Sequence, residues 1–196
     1  MVYDFLKTCK TYEKKKYTKK YFINTPCPKC PAIGRYNLHG SYHRWAFYFD
    51  NDKLIIKYMD IKRILCISCK STHAVMPGDI IPYTTLTLFV FIYILASIYL
   101  KKISVLQIAR VRNFSFQFIY YVIGVFCLHI NNIRQYIREV YPGTTPPTIN
   151  EFYIINFIKK QLMEFQYDYI KLNRRPCFMC KFFGSAGAPP VGIYAP

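Results

Sequence analysis

Four cysteines of this chain form two C-x2-C pairs, Cys27 with Cys30 and Cys66 with Cys69. A gap of two residues lets one tight turn present both sulfur atoms to a metal ion at about 2.3 Å, while N–H groups of the turn hydrogen-bond the thiolates. Four thiolates in two such turns suit tetrahedral zinc. The spacing therefore predicts a site in which these four residues bind Zn²⁺.

A redox dithiol is the rival interpretation of Cys27 and Cys30, and idle cysteines are a third. Thioredoxin-like chemistry needs the pair at a helix N-terminus within a βαβ pattern, which the neighbouring sequence lacks, so zinc is favoured. His39, His43 and His73 could in principle replace a thiolate. With four cysteines available, we expect each histidine to lie at the surface or to face phosphate.

A third pair, Cys177 and Cys180, has no further cysteine pair near it in the sequence, and only Cys9 and Cys127 remain unpaired. The pair is either a second metal half-site that an oligomer completes, or idle. The shortage of partners favours the idle interpretation.

The segment between the two zinc-binding pairs has to bring them together. The stretches HRWAFYFD and KLIIKYMDIKRILC are rich in aromatic and β-branched residues, and DND between them is a turn signal. These features predict a β-hairpin, and hence a zinc ribbon over residues 25–79.

Charge indicates the class of partner. The 27 basic residues against 10 acidic ones give a net charge of +17, which favours an anionic partner. The run KTCKTYEKKKYTKKYF predicts a basic N-terminal arm over residues 1–24, either solvated or laid on phosphates. No apolar stretch precedes a small-residue cleavage site, so we expect a cytoplasmic rather than a secreted protein.

Residues 80–100 contain no charged side chain, which raises the question of a membrane span. The first part of this stretch carries proline and threonines, and the continuous apolar part, Leu88 to Leu100, is shorter than the roughly 20 residues that a bilayer needs. Basic residues flank the stretch on both sides, so it lacks the asymmetry of positive charge that orients a membrane-spanning helix. A buried helix is the favoured interpretation, and a membrane partner is not expected.

Residues 104–126 fit a helix-turn-helix unit within a helical domain over residues 80–140. Ser104 can cap a first helix, Asn113 can adopt the left-handed conformation that a tight turn demands, and Ser115 can cap a second helix. A small residue, Ala109, would let the two helices cross closely. The alternative is a pair of core helices in an aromatic-rich bundle.

If the unit binds double-stranded DNA, the start of its second helix meets the major groove. Two arginines are expected to contact phosphates, and four polar or aromatic residues are expected to lie in the groove. One of these four, Gln117, can pair with adenine. The predicted DNA-binding residues are Arg110, Arg112, Ser115, Gln117, Tyr120 and Tyr121.

Beyond residue 140, proline, glycine and threonine at 141–149 predict a linker. Residues 150–172 predict an amphipathic helix, which packs on its own chain or, less favoured, forms a homodimer. The Gly-, Ala- and Pro-rich end predicts a flexible tail over residues 173–196. The apolar face of the helix is expected to hold Phe152, Ile155, Ile158, Leu162, Phe165 and Tyr169.

The order of CPKC, HGSYHRW and IKRILCISCKSTHAVMP, followed by an apolar helix and the helix-turn-helix candidate, resembles the N-terminal portion of bacterial insertion-sequence transposases and small related bacterial proteins of unknown function. The resemblance covers about residues 27 to 126, and its most specific piece is the second cysteine pair with STHAVMP. It implies that the ribbon and the helix-turn-helix grip transposon-end DNA, with Cys27, Cys30, Cys66 and Cys69 as zinc ligands.

Such transposases also carry a catalytic acidic triad on a ribonuclease-H-like domain, and the 70 residues after Phe126 do not accommodate one. The acidic residues there are expected on surface helices rather than at strand ends where two metal ions could be held. These are Glu139, Glu151, Glu164 and Asp168. No enzyme activity is expected.

The sequence therefore predicts an α+β protein: a small β zinc ribbon, a mainly α helix-turn-helix bundle and a C-terminal amphipathic helix. Its expected function is zinc-stabilised recognition of double-stranded DNA in the cytoplasm, associated with the nucleoid. The alternative is a membrane-associated basic protein that uses residues 80–100 as its hydrophobic segment and the ribbon to bind a partner.

Overall fold

A computed structural model describes residues 1–14, 16–144, 146, 148–173 and 178. The fold is α+β, as predicted, and the chain divides into two compact units. The first unit holds Met1–Ile80 with Thr85–Thr87, and the second holds Ile81–Thr84 with the described residues from Leu88 onward. The division falls next to residue 80, whereas the segment predicted as a linker, 141–149, belongs to the second unit.

The first unit is built on a four-stranded sheet with the strand order β1-β4-β3-β2. Strand β1 pairs in parallel with β4, and the other pairings are antiparallel. The strands are β1 (Val2–Asp4), β2 (Tyr36–Asp50), β3 (Lys53–Cys66) and β4 (Thr72–Pro77).

Strands β2 and β3 form the predicted hairpin, with Asp50 paired to Lys53. Asn51 and Asp52 connect the strands with φ angles of 46° and 60°. Two consecutive residues with positive φ match the right-handed twist of a hairpin, and Asn and Asp tolerate that conformation better than other non-glycine residues. The turn predicted from DND is therefore confirmed.

The N-terminal segment differs from the basic arm expected over residues 1–24. It begins with β1, and Tyr12, Tyr17 and Phe22 are buried in the core of the first unit. The Tyr12 hydroxyl donates to the carbonyl oxygen of Val75 at 2.6 Å. Because aromatic residues alternate with the lysines, the rings enter the core while the ammonium groups stay in water.

Two buried carboxylates help to hold this segment in place. Asp4 accepts hydrogen bonds from the hydroxyls of Tyr17 and Tyr21, each at 2.7 Å. Asp79 is 2% exposed and accepts from the backbone N–H of Cys9 at 2.9 Å. Burial raises the pKa of the Asp79 carboxyl to about 6.

The second unit consists of four helices and a short 3-10 turn at Pro142–Thr144. Eight of the twelve residues of helix α1 are buried, which confirms the core helix predicted at the end of the apolar stretch. Helix α4 contacts both α1 and α3. The helices are α1 (Leu88–Tyr99), α2 (Val105–Arg112), α3 (Phe116–Val140) and α4 (Glu151–Asn173).

The corner between α2 and α3 has the local geometry predicted for it. The Ser104 hydroxyl accepts from the backbone N–H of Gln107, whose side chain accepts from the Ser104 N–H. Asn113 is left-handed with a φ of 53°, and the Ser115 hydroxyl accepts from the Phe118 N–H at 3.2 Å. Both predicted caps and the predicted turn residue are confirmed.

Helix α4 matches the predicted amphipathic helix, but its buried face is not the predicted one throughout. Ile155 and Phe165 are fully buried, whereas Phe152 is 53% exposed and Ile154 is buried instead. Ile154 lies four residues before Ile158 and therefore shares its face, whereas Phe152 lies six residues before Ile158 and falls off that face. Contacts with α1 and α3 cover the buried face within the chain.

Of the segment predicted as a flexible tail, only Asn173 and Phe178 lie among the described residues. Phe178 is fully buried, with its ring centroid 4.4 Å from that of Phe91 on α1. This aromatic contact differs from the loose tail expected at this position.

Two isoleucines of β3 test the assignment of the sheet faces. Ile61 is fully buried and Ile56 is 41% exposed. We expect Ile61→Ala to lower the free energy of unfolding by about 2–5 kcal/mol, because it removes buried methyl groups and leaves a cavity. Ile56→Ala, the matched control, should cost less than about 1 kcal/mol in the same urea titration. Equal costs would contradict the assignment.

A second prediction concerns Asp79. Folding raises the pKa of this carboxyl from roughly 3.9 to about 6. Below the unfolded pKa the group is protonated in both states and does not affect the free energy of unfolding. As the pH rises from there through about 6, ionisation in the unfolded chain increasingly destabilises the fold. Asp79→Asn removes that cost while keeping an oxygen for the Cys9 N–H. Its free energy of unfolding should therefore equal that of the wild type near pH 4 and exceed it by about 2–3 kcal/mol at pH 7.5. A difference that is independent of pH would contradict this.

Candidate metal centre

The two predicted cysteine pairs come together where the β2–β3 hairpin begins and ends. Cys66 is the last residue of β3 and pairs with Tyr36, the first residue of β2. The first cysteine pair lies in the loop just before β2, and the second pair runs from the end of β3 into the turn that leads to β4. The hairpin therefore brings together two cysteine pairs that are far apart in the sequence.

The loop that carries Cys27 and Cys30 is a narrow turn closed by backbone hydrogen bonds. The Cys27 N–H donates to the Ala32 carbonyl at 2.8 Å, and the Gly34 N–H donates to the Thr25 carbonyl at 3.0 Å. Gly34 has a φ of 69°, and a Cβ atom there would lie 2.1 Å from the carbonyl oxygen of Ile23. Only glycine fits this close backbone approach.

The turn that carries Cys66 and Cys69 is closed in a similar way. The Cys66 N–H donates to the Ser71 carbonyl at 2.9 Å, and the Ile67 N–H donates to the Arg35 carbonyl at 2.8 Å. Lys70 has a φ of 56°, which turns the chain back towards β4. The second bond joins the two cysteine-bearing segments directly.

The four sulfur atoms form one cluster. All of them lie within 4.8 Å of one another, with Cys27 Sγ 3.7 Å from Cys69 Sγ and Cys30 Sγ 3.7 Å from Cys66 Sγ. A tetrahedral site with metal–sulfur bonds of about 2.3 Å has sulfur–sulfur distances of about 3.8 Å. The predicted ligand set is therefore assembled with the dimensions that a tetrahedral metal ion needs.

The thiols of the cluster do not share one environment. Burial works to raise the pKa of the Cys27 thiol, but hydrogen bonds from the Lys29 and Cys30 N–H groups outweigh it and lower that pKa. The hydroxyl and the N–H of Ser71 lower the pKa of Cys69 to about 6. The Ala32 N–H favours the Cys30 thiolate, but burial and the three neighbouring sulfur atoms raise the pKa of Cys30 to about 12.

The differences in pKa among these thiols show how a metal ion would change their protonation. Thiolates in contact repel one another, so without a cation the cluster holds its negative charge on only part of its sulfur atoms. A divalent ion at the centre would favour the thiolate form of all four ligands and release protons as it binds.

His73 is a residue of the site whose place the sequence interpretation got wrong. It was expected at the surface or facing phosphate, yet it is 7% exposed on β4, and its Nε2 lies 3.3 Å from Cys27 Sγ. Burial lowers the pKa of His73, which favours a neutral ring that can donate an Nε2–H to the sulfur. Its position four residues after Cys69, on the inward side of an alternating strand, was the signal available in the sequence.

The other two histidines considered as ligands are exposed on the hairpin, away from the cluster. His39 is next to Gly40, where the register of β2 shifts, and His43 stacks on Tyr58 with ring centroids 5.1 Å apart. Cys177 and Cys180, the predicted second half-site, lie outside the described residues. Cys9 is buried and Cys127 is exposed.

The residues predicted to contact DNA lie on or next to the α2–α3 corner. Arg110, Gln117 and Tyr120 are exposed, and Ser115 is partly buried because it caps α3. Tyr121 is also partly buried. Arg112 is held by Tyr93: its Nε donates to the tyrosine hydroxyl at 3.0 Å, and its guanidinium lies 5.0 Å from the ring centroid.

Comparisons of the chain with protein-family models, with curated proteins and with solved structures find no match. The class that the fold and the site define is an α+β protein in which four cysteines at the base of a β-hairpin are placed to hold one metal ion. A function has to be argued from the residues of the chain itself.

The role of His73 can be tested by metal titration. Residues that hydrogen-bond a ligand typically contribute about 10- to 100-fold to metal affinity. We therefore expect His73→Phe, which keeps a planar ring next to Tyr36, to weaken zinc binding by that factor in competition with a chromophoric chelator. His43→Phe, the control at an exposed position of the same sheet, should leave the affinity unchanged. Equal affinities for all three proteins would mean that His73 only fills space.

Proposed function

We propose that this chain is a zinc-stabilised DNA-binding protein without a catalytic domain of its own, working in the cytoplasm in association with the nucleoid. Two parts carry out separate tasks. A zinc ribbon built on the cysteine cluster stabilises the first unit, and the α2–α3 corner acts as a helix-turn-helix that binds double-stranded DNA.

Zinc is the metal that the donor set favours. Thiolate sulfur suits zinc, copper(I) and iron, whereas magnesium and calcium take oxygen ligands. Four cysteines in two tight turns leave no position open for a substrate, as in structural rather than catalytic zinc sites. Once bound, the ion supplies folding energy, because the unfolded chain holds no preformed site.

The observation that carries the proposal is the two-sided character of the first turns of α3. Ile119 and Val122 are fully buried against the rest of the second unit, while Gln117 and Tyr120 are exposed. A recognition helix needs this division, because one side anchors it and the other reaches base edges. Arg110, exposed at the end of α2, supplies a cation next to that surface.

The charge of the chain supports a nucleic acid as the partner. A net charge of +17 attracts the phosphates of DNA, and the counterions released on binding make that attraction strongly dependent on salt. The resemblance to the N-terminal portion of insertion-sequence transposases points in the same direction. It adds recognition or regulation of mobile-element ends as the biological setting.

The zinc part of the proposal predicts about one zinc per purified chain, measured by atomic emission. Cys27→Ser combined with Cys66→Ser should lose the metal and unfold the first unit, because each substitution removes one ligand from each pair. Cys127→Ser, at an exposed position outside the cluster, is the control and should keep both. Zinc retained by the double variant would refute the assignment.

The DNA part predicts binding to duplex DNA that weakens steeply as salt is added, measured by fluorescence anisotropy. Arg110→Ala should weaken binding and reduce the log–log salt slope by about one, because one phosphate contact is lost. Arg138→Ala removes the same charge from the far end of α3 and serves as the control. Identical salt slopes for both variants would mean that the α2–α3 corner does not bind DNA.

A membrane-associated basic protein is the second candidate, and α3 rather than residues 80–100 now favours it. Among the described residues, α3 is long and apolar enough to cross a membrane by length and composition, whereas α1 has only 12 residues. On the side away from its buried face, α3 also carries an exposed Leu128. Fractionation separates the two candidates, since a DNA-binding protein is released by high salt and a spanning one requires detergent.

A further inference from the structure

The β2–β3 hairpin has two faces of different character. Ala46, Met59 and Ile61 point into the core of the first unit and are fully buried. On the opposite face the register places Trp45 directly across from Tyr58. An antiparallel sheet with one solvated face usually presents polar side chains to water, so exposed aromatic rings at these positions call for a reason.

The rings of the outer face form a continuous row across the two strands. Tyr58 lies in the middle: its ring centroid is 5.1 Å from that of His43, with the planes 12° apart, and 4.8 Å from that of Trp45, with the planes 47° apart. Trp45 remains 51% exposed and Tyr58 54% exposed, and Ile56 extends the patch at 41%. A contiguous patch of this kind marks an interaction site.

The chemistry of the row suits flat, electron-rich ligands better than an aliphatic protein surface. Aromatic side chains on a sheet bind unpaired nucleobases by stacking, and every base offers a π-face for that purpose. Bases inside a duplex are already stacked on one another and cannot reach the rings. This face therefore selects single strands.

The net charge of the first unit agrees with a nucleic-acid ligand. Residues 1–80 contain 15 basic and six acidic side chains. Lys62 lies on the same face as His43, in an ion pair with Asp60, and Lys53 is exposed at the other end of the hairpin. A second copy of the chain, by contrast, would bring another +17 against this surface, and like charges repel.

We propose that the outer face of the β2–β3 hairpin binds single-stranded DNA by stacking unpaired bases on His43, Trp45 and Tyr58. The inference rests on the DNA-binding function proposed above, and it names the form of DNA that this second surface takes. The α2–α3 corner binds the duplex, and the hairpin binds a strand whose bases are exposed, such as a frayed or melted end.

The chain carries its own reporter for this contact, because Trp45 is its only tryptophan. Titration of the zinc-loaded protein with a thymine oligonucleotide of about 12 nucleotides should quench the tryptophan fluorescence in a saturable way. A blunt duplex that binds through the α2–α3 corner should raise the anisotropy of a labelled DNA without quenching Trp45. Saturable binding of the oligonucleotide with unchanged tryptophan emission would overturn the proposal.

Variants separate stacking from general charge attraction. Trp45→Ala combined with Tyr58→Ala should weaken binding of the thymine oligonucleotide by about tenfold or more, and Trp45→Phe, which keeps a ring, should lose much less. Duplex binding should be unchanged in both. Tyr167→Ala removes a comparably exposed ring from α4 and is the control. The far-ultraviolet circular dichroism spectrum establishes that each variant is folded.

Several outcomes would overturn the inference, and they are distinct from failure of the proposed function. Unchanged oligonucleotide binding in the double alanine variant would mean that charge alone holds the strand. Tighter binding of a uridine oligonucleotide of the same length, measured in the same titration, would assign the face to RNA instead of DNA. Self-association that the double variant abolishes, without oligonucleotide binding, would assign the face to a second copy. Duplex binding without quenching of Trp45 fluorescence by single strands would refute only this inference. Quenching by single strands without duplex binding would refute only the proposed duplex site.

Discussion

The first unit is organised around four cysteine sulfur atoms that lie within 4.8 Å of one another. Such a cluster is electrostatically unfavourable when its members ionise together, and a divalent cation turns that repulsion into attraction. The two segments that carry the sulfur atoms bracket the β2–β3 hairpin. One ion bound by all four sulfur atoms would therefore tie the loop before β2 to the end of β3, at the open end of the hairpin.

The other residues that surround the cluster lie on parts of the sheet that hold no predicted ligand. His73 on β4 reaches Cys27 from within the sheet, and Tyr36 forms an edge-on contact with the His73 ring at 6.3 Å. The N-terminal segment covers the same core with Tyr12, Tyr17 and Phe22. Metal binding, the sheet and the N-terminal segment are thus expected to form together, because each buries part of the others.

Local rules were sufficient for much of the fold. The two-residue turn after Asp50, the caps at Ser104 and Ser115 and the left-handed Asn113 are all predicted by the chemistry of a few neighbouring residues, and the structure has all of them. The clustering of four cysteines was predicted for the same reason, since each pair fits the geometry of one metal ion within four residues. The face of α4 was predicted less well at its start, because the prediction placed Phe152 on a face that Ile154 and Ile158 share and Phe152 does not.

By itself, the sequence determined the type of each strong local element and indicated which four cysteines would cluster, because spacing within a turn restricts what those residues can do. Only the tertiary structure decided which distant residues complete the site and the core. His73 joins the cluster because β4 pairs with β3, and the lysine-rich N-terminus becomes part of the core because its tyrosines find a buried sheet face to cover. These outcomes depend on contacts between residues far apart in the chain, which no local pattern specifies.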